Sequence, residues 1–204
     1  MPHSKQAAEA ILEPYMDQLV EIFPTAWRRW EEFGKASPEL RLQICPRTRA
    51  SMVSNFATRA AEELFDDMSP GVILTDHPRF LLIIFDSKLH VRLKKFRSRS
   101  GQTSGIPTTQ RRMFETQRPL TGFPESSNCV HGYVLKPDAS YFAETAITCS
   151  DGNKLYWKID IPLGGGSAGT VVEHRPPPTG DSPEPGISST FEDQDQAEEG
   201  GIGD

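Results

Sequence analysis

Eight basic side chains lie within 25 residues of this chain. They are Lys88, Arg92, Lys94, Lys95, Arg97, Arg99, Arg111 and Arg112. Asp86 is the only acid close by before Glu115. Clustered lysines and arginines are the electrostatic footprint of nucleic-acid binding, because they neutralise phosphates. The same cluster also fits an acidic protein partner, a solvated sheet face or a dock for the chain's own acidic tail, so these interpretations stay open.

Asp76, Asp86 and Lys88 suggest a second chemistry, that of a metal-dependent nuclease. Many such enzymes place an acid on one strand and an acid-x-Lys sequence on the next, where the acids hold Mg²⁺ and the lysine orients water or stabilises charge. Glu62 and Glu63 on the preceding predicted helix complete an order of elements that resembles the PD-(D/E)xK nuclease core. The chain departs from that pattern, because no proline precedes Asp76 and the acid-x-Lys sequence sits where a hairpin turn belongs.

A zinc site is a third possibility. Cys129 and His131 alternate on one predicted strand and share a face, and Cys149 and His77 are candidates to approach them across the sheet. Zinc takes about four such ligands, but no paired Cys-x₂-Cys is present. We therefore favour buried cysteines and a structural histidine over a metal site.

Other catalytic signatures do not emerge from the sequence. No cysteine stands at an obvious helix start beside a histidine, the usual arrangement for a reactive thiol. The chain contains no P-loop, Rossmann glycine pattern, His-Glu-x-x-His or Gly-x-Ser-x-Gly motif. We expect no cofactor, with Mg²⁺ required only by the nuclease alternative.

Helical periodicity dominates the first third of the chain. Apolar residues at three- and four-residue steps predict helix over residues 4–34, with a break at residues 23–25, and again over residues 47–66. Trp27 and Trp30 fit the core better than a binding surface. Residues 97–106 predict a mobile loop, and residues 107–117 a short helix.

A period of two then indicates strands. They are predicted over residues 72–75, 80–85, 89–96, 129–135, 141–149 and 155–161. In the third strand, Arg92 and Lys94 share the face that we expect to lie outward. The predicted fold class is α+β, with N-terminal helices covering one face of a mainly antiparallel sheet of five or six strands.

Charge divides the chain into two regions. Residues 163–204 carry nine acids against one base, whereas residues 1–162 carry a net charge of about +2. We predict one domain over residues 1–162, helical to residue 67 and sheet-rich from 68 to 162, followed by a disordered acidic tail over residues 163–204. Three cysteines and no apolar run longer than six residues predict a cytoplasmic protein without a membrane partner.

Several short segments resemble one group of bacterial proteins. They are FDSKLHVRLKKF at residues 85–96, IPTTQ at 106–110, Phe114 and GYVL at 132–135. Within residues 80–160 the chain resembles uncharacterised proteins of phages, plasmids and defence loci, often encoded beside a helix-turn-helix regulator or an ImmA/IrrE-type metallopeptidase. The resemblance implies a role in regulation, toxin–antitoxin pairing or phage defence. It transfers no catalytic residue, and without His-Glu-x-x-His this chain would be the peptidase's partner.

These observations favour a non-enzymatic binding protein of a mobile-element or defence locus. Its basic strand and loop would contact nucleic acid or an acidic protein partner. The alternatives are the divergent Mg²⁺-dependent nuclease and a structural subunit whose basic face is covered by a protein neighbour. The oligomeric state stays open.

Overall fold

The structure of the chain is a computed structural model. The structure describes residues 2–65, 69–77, 80–104, 108–117, 126–152 and 154–163, with only the backbone at positions 76, 77, 80 and 110. The chain divides into two units after Ser167, and the second unit, Ala168–Asp204, lies outside the described residues. The predicted acidic tail, apart from Leu163, therefore also lies outside them.

Five helices are described, four of them before the sheet. They are α1 (Lys5–Leu12), α2 (Met16–Ala36), α3 (Pro38–Gln43), α4 (Pro46–Leu64) and α5 (Thr109–Glu115), with a 3₁₀ turn at Glu13–Tyr15. The predicted break at residues 23–25 is wrong, because α2 continues through Pro24. Proline removes one helical hydrogen bond, but Pro24 is buried, and packing of the surrounding turns holds the helix together.

Six strands form one sheet in sequence order. They are β1 (Val72–His77), β2 (Phe80–Phe85), β3 (Leu89–Lys95), β4 (Ser127–Leu135), β5 (Phe142–Asp151) and β6 (Lys154–Ile161). Every neighbouring pair is antiparallel except β3 and β4, which run parallel. A parallel pair requires a crossover connection, and α5 lies in the connection between β3 and β4. The α+β prediction of N-terminal helices on a mainly antiparallel sheet is confirmed.

The sheet carries a core on each face. On one face, Phe23 and Trp27 of α2 pack against Tyr133 and Phe142 in a cluster of aromatic rings. On the other face a smaller cluster gathers around Phe114 of α5. Its buried members are Leu82, Ile84, Phe96, Phe114, Val130 and Ala146. Side chains alternate along each strand, so the two clusters take alternate residues of β2.

The segment after β3 is not an open loop. Within residues 97–104, the Arg97 N–H donates to the Gln102 carbonyl at 2.7 Å, and the Ser104 N–H donates to the Lys95 carbonyl at 2.9 Å. These bonds fold residues 97–104, hereafter the β3 loop, back on the end of β3. Among the residues that the structure describes, no helix combines the length and the apolar character needed to cross a membrane.

Candidate functional site

The eight predicted basic residues do not form one surface. Lys88 is exposed in the turn before β3, whereas Lys95 ends that strand. A strand rises about 3.3 Å per residue, so the two positions are roughly 23 Å apart. The remaining bases gather around the far end of β3.

Arg92 does not face solvent. It shares a strand face with Lys94 as predicted, but α5 covers that face, and Arg92 is only 8% exposed. Its guanidinium carbon lies 5.0 Å from the centre of the Phe114 ring, a cation–π geometry. Burial lowers the pKa of Arg92 to about 10. The expectation of an outward-facing Arg92 is therefore wrong, and the residue supports α5.

Arg111 connects α5 to the β3 loop. Its Nε donates to Glu115 Oε1 at 2.7 Å, and its Nη2 donates to the Thr103 carbonyl at 3.0 Å. The Thr103 hydroxyl donates to the same Glu115 oxygen at 2.7 Å. Such half-buried charge-assisted hydrogen bonds are stronger than neutral ones. The first role of Arg111 is therefore to hold the β3 loop against α5.

Arg99 belongs to a different charge cluster. Its Nε lies 3.7 Å from Glu144 Oε2, and Lys158 pairs with the same carboxylate. An ion pair with a base as exposed as Arg99 contributes little stability. Arg99 is therefore already partly neutralised by this chain.

Lys94 and Lys95 meet residues of α4. A groove of about 530 Å³ opens between α4 and the end of β3, hereafter the α4–β3 groove. Its described lining residues are Pro46, Arg47, Ala50, Ser51, Ser54, Asn55, Lys94, Lys95 and Ser104. Helix periodicity explains the α4 contribution, because positions 47, 51, 54 and 55 share one face. None of these lining residues is an acid.

The two lysines that line this groove feel positive charges from residues outside its lining. Burial lowers the pKa of Lys94, and the positive charges of Arg92 and Arg111 lower it further. Burial likewise lowers the pKa of Lys95, with Arg49 of α4 adding to the effect. A base whose pKa is lowered by neighbouring cations holds its proton at a cost in free energy, which a bound anion would offset. The groove is therefore suited to a negatively charged ligand.

Arg47 and Arg49 were missed at the sequence level. These arginines lie about 40 positions before the basic strand β3 in the sequence. Only the packing of α4 against β3 places them near that strand. The available signal was local: both arginines stand off the apolar stripe of their predicted helix. That signal indicates that they lie off the apolar core but not which strand they will neighbour, and Arg49 is half-buried in the fold.

Two further cavities continue from the groove along the β3 loop. A small one of about 160 Å³ shares Lys94 and Ser104 with the groove. It also shares Thr103, Arg111, Glu115 and Val130 with a larger cavity of about 680 Å³, hereafter the α5 cavity. Arg97 and Arg112 line the α5 cavity.

The proposed nuclease residues are spread along the sheet. Asp76 pairs with Leu81 across β1 and β2, whereas Asp86 follows the other end of β2. Five residues of strand separate their backbone positions by roughly 17 Å. Metal–oxygen bonds to Mg²⁺ are about 2 Å long, so Asp76 and Asp86 do not share one ion in this fold. Lys88 lies in the same turn as Asp86.

Asp86 has a structural setting. The residue adopts a φ of 49°, and its Oδ1 lies 3.1 Å from the Tyr15 hydroxyl, which also lies 2.8 Å from the Pro70 carbonyl. Burial and the Asp86 carboxylate together raise the pKa of Tyr15. Asp86 therefore ties the hairpin turn to the helical layer.

The candidate zinc ligands are not gathered at one point. Cys129 and Cys149 lie directly opposite each other on β4 and β5 and are fully buried. His77 lies on β1, three strand spacings or roughly 14 Å from β4. Among the described residues no group of three His, Cys, Asp or Glu could hold a metal ion.

His131 is the structural histidine of the core. It is fully buried against Phe23, with ring centres 4.7 Å apart, and its two ring nitrogens have no hydrogen-bond partner among the described residues. Burial lowers the pKa of His131 to about 3. The ring is therefore neutral at pH 7.

One cysteine stands at the start of a helix, although with Thr48 and not a histidine as its hydrogen-bond partner. Cys45 is exposed at the N-cap of α4, where its Sγ lies 3.3 Å from the Thr48 hydroxyl. That hydrogen bond lowers the pKa of Cys45. The helix starts one residue earlier than predicted, at Pro46, which is why the sequence pattern did not place Cys45 at its end.

No protein-family model, curated protein or solved structure matches the chain.

Proposed function

We propose that this chain is a nucleic-acid-binding protein that holds phosphates in the α4–β3 groove. The observation that carries the proposal is that Arg47, Lys94 and Lys95 line one groove that has no acid among its described lining residues. Lysine and arginine supply most of the affinity of proteins for nucleic acid by displacing counterions. Asn55 adds a neutral hydrogen-bonding group of the kind that commonly contacts phosphate and sugar.

The lining favours nucleic acid over an acidic protein partner. Among the described residues that line the groove, Pro46 and Ala50 are the only apolar ones. The centre of a protein–protein interface is enriched in apolar and aromatic residues and depleted of lysine. A sugar-phosphate backbone needs no such apolar centre.

The biological setting is part of the proposal. We propose a non-enzymatic role in a bacterial mobile-element or defence locus, supported by the resemblance of residues 80–160 described above. The separation of Asp76 from Asp86 supports binding over the nuclease alternative. A structural subunit remains the contrasting hypothesis, because a protein neighbour covering the groove would leave the isolated chain without affinity for nucleic acid.

Fluorescence anisotropy with labelled duplex and single-stranded oligonucleotides tests the proposal. The full chain is titrated at several salt concentrations and compared with the double variant Arg47→Gln plus Lys95→Gln. Loss of two phosphate contacts is expected to weaken binding at every sequence tested and to reduce the slope of log K against log salt by about 2.

Lys88→Gln is the matched control, since it removes an exposed lysine of the predicted cluster at the other end of β3. It is expected to leave both affinity and slope unchanged. If the control and the double variant lost equal affinity for the oligonucleotides, the binding would be a non-specific attraction of charges and not binding in the α4–β3 groove. No binding by the full chain at low salt would overturn the proposal and favour the structural-subunit hypothesis.

A further inference from the structure

The α5 cavity is a second site with its own lining, on the face of the sheet away from α1, α2 and α4. We infer that it binds a small phosphorylated ligand of nucleotide size. The inference does not depend on the α4–β3 groove, because the two lining sets have no residue in common. Its volume of about 680 Å³ lies within the usual range of small-molecule sites, roughly 300–1,000 Å³.

One wall of the cavity is the β3 loop, which packs closely on β5. Gly101 has a φ of +77°, and a Cβ at this position would stand 2.6 Å from Thr148 Cγ2. Only glycine satisfies both conditions without displacement. The Arg111–Glu115–Thr103 bonds described above fix this loop to α5, so the wall is held at both ends.

The opposite wall is held by the end of α5. The Gly152 N–H donates to the Glu115 carbonyl at 2.9 Å, which ties the β5–β6 hairpin to the helix. The Gln117 side chain donates to the carbonyls of Asn128 and Ser150 at 2.7 and 2.8 Å, and it accepts from the Asn128 N–H at 2.8 Å. Walls fixed in this way reduce the ordering cost of binding a ligand.

The charge of the cavity selects an anion. Arg97 and Arg112 are exposed, line the cavity and form no ion pair with a residue that the structure describes. The acid in the described lining is Glu115, which is already bound by Arg111 and Thr103. Two planar guanidinium groups that lack a carboxylate partner suit phosphate, which they bind with paired hydrogen bonds.

The rest of the lining suits the remainder of a nucleotide. Hydroxyl groups come from Ser100, Thr148 and Ser150, which match the hydrogen bonds of a sugar. Leu155 is 41% exposed and stands at the cavity, where it offers an apolar surface to a base. A lining that combines charged and hydroxyl side chains with the apolar atoms of Val130 and Leu155 fits a phosphorylated nucleoside, which carries polar and apolar parts, better than a lipid or a steroid.

Isothermal titration calorimetry on the full chain tests the inference. The probes are adenosine monophosphate, ribose 5-phosphate and pyrophosphate at physiological salt, with adenosine as the uncharged comparison. At least one phosphorylated probe is expected to bind, with adenosine much weaker. The double variant Arg97→Gln plus Arg112→Gln is expected to weaken that binding at least tenfold while its far-UV circular dichroism stays unchanged.

The same phosphate could belong to the end of a nucleic-acid strand. A second arm therefore compares oligonucleotides with a 5′-phosphate and a 5′-hydroxyl. A preference for the 5′-phosphate that is lost in the Arg97/Arg112 variant, without binding of the small probes, would support the cavity and identify the strand end as its ligand. Absence of both signals would overturn the inference.

The variant Arg47→Gln plus Lys95→Gln separates this inference from the proposed function. It should lose affinity for oligonucleotides yet bind the small phosphorylated probe as the natural chain does. Probe binding that survives the Arg97/Arg112 variant would overturn the assignment to the α5 cavity. Thr148→Val, which removes one lining hydroxyl without changing charge, provides an independent variant and should weaken probe binding several-fold.

Discussion

At the scale of single residues, burial changes what each polar side chain can do. Arg92 and Arg97 belong to one basic segment, yet Arg92 lies under Phe114 whereas Arg97 is exposed beside a cavity. Removing a charged group from water is costly, so a buried cation serves packing before it serves a ligand. Burial acts on His131 in the same way, because it lowers the pKa of the ring and so keeps it neutral.

His131 should make stability depend on pH. Its pKa in the folded chain is about 3, against 6.5 ordinarily, so the unfolded chain takes up a proton between these values that the folded chain does not. The free energy of unfolding is therefore expected to fall as pH drops below about 6.5, by up to about 1.4 kcal/mol per pH unit. Urea unfolding of the natural chain and His131→Leu at pH 7, 6, 5 and 4 measures this. An equally steep decline in both chains would contradict the assignment.

Asp86 should contribute to the stability of the folded chain. Asp86→Ala removes the contact with Tyr15 and places alanine at a positive φ, which we expect to cost about 1–2 kcal/mol in the free energy of unfolding. A double-mutant cycle with Tyr15→Phe, measured by urea unfolding, should show coupling between the two residues. An unchanged stability together with loss of a Mg²⁺-dependent cleavage activity would instead restore the nuclease alternative.

At the scale of elements, the β3 loop determines the shape of the candidate sites. Ser104 of this loop lines the α4–β3 groove, and Gly101 with Thr103 lines the α5 cavity. Gly132 of β4 permits the close approach of Phe96 at the start of the loop, because a Cβ there would stand 2.5 Å from the Phe96 ring. The loop is therefore held by backbone positions that accept only glycine.

Gly101→Ala tests how firmly this wall is held. The substitution introduces backbone strain of about 1–2 kcal/mol and a clash with Thr148. Gly152→Ala is the matched control, because its φ is also positive but its Cβ would meet nothing within 4 Å. Urea unfolding should show a larger loss for Gly101→Ala, and Thr148→Ser should relieve part of it. Equal losses at both glycines would show that Thr148 does not confine the loop.

At the scale of the whole molecule, the parallel β3–β4 pair creates the second face. Four of the five neighbouring strand pairs are antiparallel, as hairpins allow, but the parallel β3–β4 pair requires a crossover, and α5 lies in that connection. The N-terminal helices already cover the other face. The α5 cavity forms because the crossover places α5 on the face of the sheet that the N-terminal helices leave uncovered.

Hydrogen exchange should reflect the order of the strands. Amides of β3, β4 and β5 are paired on both sides and are expected to exchange slowest, whereas β1 has one neighbour and α3 carries Leu42 at 89% exposure. Exchange followed by mass spectrometry of peptic fragments measures this order. Protection of α3 equal to that of β4 would indicate that a partner or a second copy covers it.

Much of the fold followed from patterns that are local in sequence. Alternation in β3, the apolar stripe of α4 and the Asp-Gly turn before β6 each predicted an element within a few residues of its observed bounds. The break predicted at Pro24 failed, because a local rule cannot weigh the packing that holds α2 together. The short helix α3 was missed altogether.

Less of the candidate site was predictable. The sequence by itself determined which side chains share a strand or helix face, because backbone geometry fixes the periods of two and 3.6 residues. Only the tertiary structure decided that α5 covers Arg92, that Arg47 and Lys95 line one groove and that Asp76 is far from Asp86. The reason is physical: burial and electrostatic interaction depend on distances between segments, and those distances are set by packing of the whole chain.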